Sequence, residues 1–138
     1  MIKISPHFSF EELVFTSFHD FKALNSLEGE KRLPELTALS FYLLEPVRRI
    51  LNSPLKITSA YRCRALNSFV GGSASSQHLK GEAADFIPLN VGLDEAFAKI
   101  KNCTDLHFGQ LISEPGWLHI SLGTPFRDLK KCGQAFIK

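Results

Sequence analysis

Two histidines and an aspartate carry the clearest chemistry in this chain. His78 lies in Ser76-Gln-His-Leu-Lys-Gly-Glu-Ala-Ala-Asp85, seven residues before Asp85. Small Ala83 and Ala84 precede the aspartate and apolar Phe86-Ile87 follow it. This pattern predicts a loop that holds the histidine, then a buried strand that carries the carboxylate. A carboxylate entering an apolar strand is costly unless it is paired or bound to a metal. A second histidine, His119, sits in Trp117-Leu-His-Ile-Ser-Leu122, another strand-like stretch. Two imidazoles and one carboxylate form a ligand set suited to catalytic zinc, with the fourth position left open.

The elements that must position these groups can be read from periodicity. Ser9 and Glu12 have capping-box spacing, so a helix should start at Phe10. The stretch from Phe15 to Gly29 is mixed and takes no assignment; His19 and Asp20 within it lack ligand spacing. From Pro34, a residue suited to a first turn, Leu36, Leu39, Leu43, Val47 and Ile50 recur at helical steps. Pro46 should kink this helix near Tyr42 to Leu44, because it removes a backbone donor. Arg48 and Arg49 complement the helix dipole at its end. Strands are expected at Leu55 to Ser59, Ala83 to Pro88, Phe108 to Glu114 and Trp117 to Leu122, the last two joined by a Pro115-Gly116 turn. A short helix should cover Cys63 to Phe69, residues 70–75 a turn-rich loop, and Leu93, Phe97 and Ile100 an amphipathic helix. The tail, with Phe126, Leu129, Phe136 and Ile137, adds a last strand or packs as a loop. The expected fold is α+β, a small and mostly antiparallel sheet with helices packed on one side. The metal cleft should lie on the sheet face that the long helix leaves uncovered.

Composition narrows the function classes. The 138 residues fit one domain spanning 1–138, and a net charge of +2 gives no case for nucleic acid or a membrane surface. No apolar run approaches the roughly 20 residues that span a bilayer, and the N-terminus lacks the pattern of a secretory signal. The chain is therefore expected to be cytoplasmic as synthesised and monomeric. Three widely spaced cysteines, Cys63, Cys103 and Cys132, suggest neither a disulfide framework nor a zinc knuckle.

At this point the residues resemble a family, the zinc D-Ala-D-Ala carboxypeptidases and related cell-wall peptidases of the LAS group, which include phage endolysin peptidases and share a core with the hedgehog signalling domain. The resemblance is carried by Ile57-Thr-Ser-Ala-Tyr-Arg62, Asn67, Gly71-Gly72, the Ser76 to Asp85 motif and Trp117-Leu-His-Ile-Ser121. It extends to Phe8-Ser-Phe-Glu-Glu-Leu13 and Leu44-Glu-Pro-Val-Arg48. It implies zinc held by His78, Asp85 and His119. It implies that Arg62 binds a substrate carboxylate or polarises the substrate, and that Ser76 and Gln77 line the cleft, with Tyr61 beside them as a substrate-side positioning or packing residue. A guanidinium suits a peptide's terminal carboxylate because it pairs with it through two parallel bonds.

The chain departs from the family at the base. Many relatives carry an acid three positions before the final histidine; here that position is Gly116. The nearest carboxylate is Glu114, five residues before His119, and it is expected to be the general base because a base must reach the attacking water. Position 117, polar in some relatives, is Trp117. His107 has no matching motif and reads as a strand-edge residue. Two classes of function follow. One is a zinc peptidase acting on peptidoglycan stem peptides, as a D-Ala-D-Ala carboxypeptidase or an endopeptidase, reaching the wall as a phage or prophage lysin. The other is a zinc-containing, non-catalytic peptide- or wall-binding module of the same fold. A peptidase for cytosolic D-amino-acid dipeptides is a weaker third.

Overall fold

The computed structural model describes residues 1–123 and 133–138. Phe126, Leu129 and Cys132 of the tail lie outside the described residues.

The chain opens with a short hairpin, β1 (Lys3–Ser5) against β2 (Phe8–Ser9), which runs directly into α1 (Phe10–Leu13). The capping box forms: Glu12 N–H donates to Ser9 Oγ and Ser9 N–H to Glu12 Oε1, both at 3.2 Å. Periodicity alone did not reveal the hairpin, whose strands are only three and two residues long.

A nearly continuous helical run follows. It consists of α2 (Lys22–Gly29), α3 (Leu33–Leu39) and α4 (Glu45–Leu51), joined by a 3₁₀ turn at Glu30–Arg32 and a π-helical turn at Ser40–Leu44. The π turn falls where Pro46 was expected to disturb the helix. Proline has no N–H to return to the carbonyl of Tyr42, and the ladder widens there instead of breaking. The run ends at Asn52, in the left-handed conformation with φ 48°, a cap position that asparagine tolerates.

The helix α2 lies in the stretch the sequence left unassigned, and its inward face explains why. Its buried residues are Asn25 and Gly29, neither of which contributes to an apolar period. Asn25 is fully buried and triply bonded: its amide donates to the carbonyls of Val14 (2.8 Å) and Tyr61 (3.0 Å), and its oxygen accepts from Cys63 N–H (2.7 Å). Gly29 sits against Val14, whose Cγ1 would lie 2.5 Å from an added Cβ.

The main sheet has five strands in the order β3 (Leu55–Ser59), β4 (Ala83–Pro88), β6 (Trp117–Leu122), β5 (Phe108–Glu114) and β7 (Gln134–Ile137). Every pairing is antiparallel except β5 with β7, which is parallel. The tail thus supplies a parallel edge strand. Between β3 and β4 lies α5 (Arg64–Phe69), and between β4 and β5 lies α6 (Leu93–Lys101).

Strand alternation sorts the two faces. Ile57, Ala84, Phe86, Leu111, Leu118 and Ile120 enter one core together with Leu36, Leu39, Leu43 and Val47 of the helical run and Phe97 and Ile100 of α6. Asp85, Ile112, Glu114, Trp117 and His119 point to the other face and line a cleft. The α+β architecture and the cleft's place opposite the long helix follow the expectation from sequence. Among the described residues, no helix is long and apolar enough to cross a membrane.

Candidate metal centre

Strand register brings the cluster together. Asp85 on β4 and His119 on β6 are direct cross-strand partners. His78 comes from a 3₁₀ turn at Gln77–Lys80, capped by Ser76, whose Oγ accepts from His78 N–H at 3.2 Å. Gly81 ends the turn with φ 72° and lets the chain reverse into β4. One ligand-capable atom from each of His78, Asp85 and His119 lies within 4.8 Å of the others.

The hydrogen bonds around the cluster fix which atoms face inward. His78 Nδ1 lies 2.6 Å from the carbonyl oxygen of Ala60. A carbonyl only accepts, so Nδ1 donates to it, which leaves Nε2 facing Asp85 Oδ1, 3.3 Å away. His119 presents Nδ1 to the same oxygen at 2.9 Å. Three electron-rich atoms converging on one point require a cation between them, either protons on the rings or a metal ion. A backbone carbonyl that orients the imidazole of a ligand is the usual outer support of a zinc site. The donor set and its support therefore fit zinc.

Burial and charge act against each other at Asp85. Burial raises its pKa, but the bonds and charges of His119 and His78 outweigh it and hold the carboxyl well below the usual carboxylate range. The aspartate is ionised at neutral pH, as a metal ligand must be.

Arg62 enters the cleft from the segment after β3. Its backbone N–H donates to the carbonyl of His78 at 3.0 Å, so the arginine and the first histidine are tied together. The guanidinium reaches Ser76 Oγ at 3.4 Å, while its buried Nε has no partner. Burial pulls its pKa down and the charge of Asp85 pulls it back up; it remains a cation with donors to spare. Gln77 lines the cleft and is buried, with its amide donating to the carbonyl of Leu122 at 3.0 Å. Ser76 lines it as well.

Glu114 stands at the end of β5, opposite Trp117 and two residues beyond Ile112, the partner of His119. It is on the cleft face and pairs with Lys138 Nζ at 3.2 Å. The position three before His119 is Gly116, with φ 103°. L side chains rarely adopt that conformation, so the tight Pro115-Gly116 turn itself disfavours an acid there.

Tyr61 is not brought into the cleft. Arg62 lines the cleft, whereas the Tyr61 ring is buried near Gly29 and lines a separate pocket. His19 and His107 also lie outside the cleft. The sequence did not single out Gln110, Ile112 or Lys138, all of which line it; the strand parity of His119's partner would have found the first two. Asn67 and Gly72 act at the rim: Asn67 Nδ2 donates to Ser73 O at 2.9 Å, and an added Cβ at Gly72 would collide with the Asn67 side chain.

The cleft, about 620 Å³, thus joins a metal-competent triad, a guanidinium and a carboxylate, which is the equipment for hydrolysing an amide next to an anionic group. No curated protein matches the chain. The profile of the Peptidase M15 family matches residues 6–121, a span that includes His78, Asp85, His119, Arg62 and Glu114, and the chain belongs to that family of zinc-dependent metallopeptidases.

Proposed function

We propose that this chain hydrolyses peptidoglycan stem peptides, with His78, Asp85 and His119 holding zinc. The observation that carries the reading is that Glu114 and Arg62 share one cleft with the three ligands. When bound, zinc supplies a Lewis acid that polarises the scissile carbonyl and acidifies water.

The chain's own residues supply the rest. The guanidinium of Arg62, with its unpartnered Nε, pairs with the substrate's carboxylate and orients the peptide. Ser76 and Gln77 bound the space on the side of His78. Glu114 is a diagonal neighbour of His119 across β5 and β6, with backbone positions roughly 7–8 Å apart, and it lines the same cleft. Its carboxylate takes the proton of the attacking water and delivers it to the leaving amine. Lys138, ion-paired to Glu114, holds that carboxylate at the cleft face.

Incubation of the zinc-loaded protein with purified peptidoglycan, followed by mass spectrometry of the released termini, tests this reading and identifies the bond. New termini at stem-peptide bonds are expected; intact stem peptides would reject it. The ion pair between Glu114 and Lys138 also favours a second reading, a zinc-containing wall-binding module whose carboxylate is engaged elsewhere. In that case peptidoglycan is bound and left uncut.

A further inference from the structure

The Gln77–Lys80 turn has two faces. Gln77 and His78 line the metal cleft, whereas Leu79 and Lys80 line a second pocket of about 340 Å³. The segment after β3 divides in the same way, with Arg62 in the cleft and Tyr61 and Arg64 in the second pocket. Ser75 and Ser76 line both. The two cavities therefore share the Ser75–Ser76 wall.

The second pocket is strongly cationic. Lys31, Arg32, Arg64 and Lys80 line it against a single carboxylate, Glu28. Lys31 is tethered to Glu28 at 3.3 Å and Arg32 to Glu35 at 3.5 Å. Arg64 and Lys80 have no ion-pair partner among the described residues. Four cationic side chains and one carboxylate thus line a single pocket beside the candidate metal centre. Burial first, then the nearby Cys63 and Glu28, raise the pKa of Tyr61, so its phenol stays a neutral donor in the wall.

We infer that this pocket binds a second carboxylate of the peptide whose scissile bond lies at the metal centre, so that the enzyme selects acidic peptides. The inference rests on the peptidase reading above for the occupant of the cleft. A tethered anion suits the site better than a free one, because the shared Ser75–Ser76 wall makes the second contact intramolecular once the cleft is filled.

Two stem-type peptides that differ in one group test it, one with a free side carboxylate and one with the carboxamide. Calorimetry on zinc-free protein, where no turnover occurs, should show the acidic peptide binding about 10-fold tighter, the scale of a charge-assisted contact. Arg64→Gln/Lys80→Gln, at two exposed positions, should erase that preference and leave affinity for the carboxamide peptide unchanged. Equal binding of the two peptides by the wild type, no measurable binding of the acidic one, or a preference that survives in the double variant would each overturn the inference. Hydrolysis of both peptides by zinc-loaded wild type reads the peptidase assignment separately. Cleavage without a charge preference overturns the pocket alone; a charge preference in binding without cleavage supports the pocket and removes the peptidase reading.

Discussion

Asp85 and His119 are register partners on neighbouring antiparallel strands, and Asp85 Oδ1 lies 2.9 Å from His119 Nδ1. Two thirds of the candidate metal site is therefore set by backbone pairing, and only His78 depends on a turn. Replacement of either strand ligand should leave the sheet intact and remove metal. Asp85→Asn or His119→Ala should weaken zinc by more than about 100-fold, beyond the usual effect of losing an outer support. Chelator competition with metal analysis measures it. Full zinc occupancy at wild-type affinity in His119→Ala would show that the ligand set is wrong.

Zinc should stabilise this protein without being needed to fold it. The apolar core is built from the helical run, α6 and one sheet face, and the candidate ligands His78, Asp85 and His119 are not part of it. Ligand binding to the native state alone raises stability with the logarithm of one plus the ratio of free ligand to Kd. Chelation should lower Tm while the far-ultraviolet dichroism stays native. Loss of secondary structure on chelation at 25 °C would contradict this.

Glu114→Gln keeps size and hydrogen bonding but cannot carry a proton. Turnover of a stem peptide should fall by roughly 10²-fold or more, the scale of a lost general base, with zinc stoichiometry unchanged. Wild-type turnover in this variant would eliminate Glu114 as the base.

Arg62→Ala should lower kcat/KM by about 10–100-fold, corresponding to one lost charge-assisted contact, and should retain zinc. Arg62→Lys should rescue poorly, since an ammonium cannot make the paired contact of a guanidinium. Steady-state kinetics with substrates bearing free and amidated termini separates the loss of carboxylate pairing from a general defect.

A second carboxylate fastens the N-terminal hairpin. Glu45, at the start of α4, accepts from Ser5 Oγ (2.7 Å) and His7 N–H (2.8 Å) and meets His7 Nδ1 at 2.7 Å. Burial raises the Glu45 pKa, but these bonds outweigh it and the net shift is downward. A carboxylate with a depressed folded-state pKa contributes fully above its unfolded value of about 4.3, and the contribution is lost as pH falls through the lower folded value. Glu45→Gln should cost about 1.5–3 kcal/mol at pH 7 and flatten the acid limb of the stability profile. Urea titrations at pH 7 and pH 3 check both; an equal loss at the two pH values would contradict the assignment.

The readable parts of the sequence were those in which one residue type has one physical use. His78, Asp85 and His119 stood out because an ionised group inside apolar strands needs a counter-charge, and the structure brings them together. Pro46 marked the right stretch, because its missing N–H acts at a fixed distance along the chain, but the expected kink near Tyr42 to Leu44 is met there by a π turn over Ser40–Leu44. What stayed hidden depended on polar or small residues serving as core. The helix α2 buries Asn25 and Gly29, so no apolar period marked it, and the role of Asn25 in holding Tyr61 and Cys63 exists only in three dimensions. The placement of Tyr61 stayed hidden as well: Arg62 lines the cleft, whereas the tyrosine lines a separate pocket.

The two bonds that join Ala60 and Arg62 to His78 divide the molecule into a frame and an exchangeable part. They pin both ends of residues 63–77 at the metal site itself, so the mouth of this excursion is set by groups the chemistry already requires. Loop closure entropy grows slowly with length, and the span at its tip, residues 70–75, can be lengthened, shortened or replaced with little effect on where the ligands stand. A redesigned tip should change which peptides fit the cleft while zinc affinity stays constant. Grafting a single short loop is thus expected to alter what the cleft accepts while His78, Asp85 and His119 keep their places.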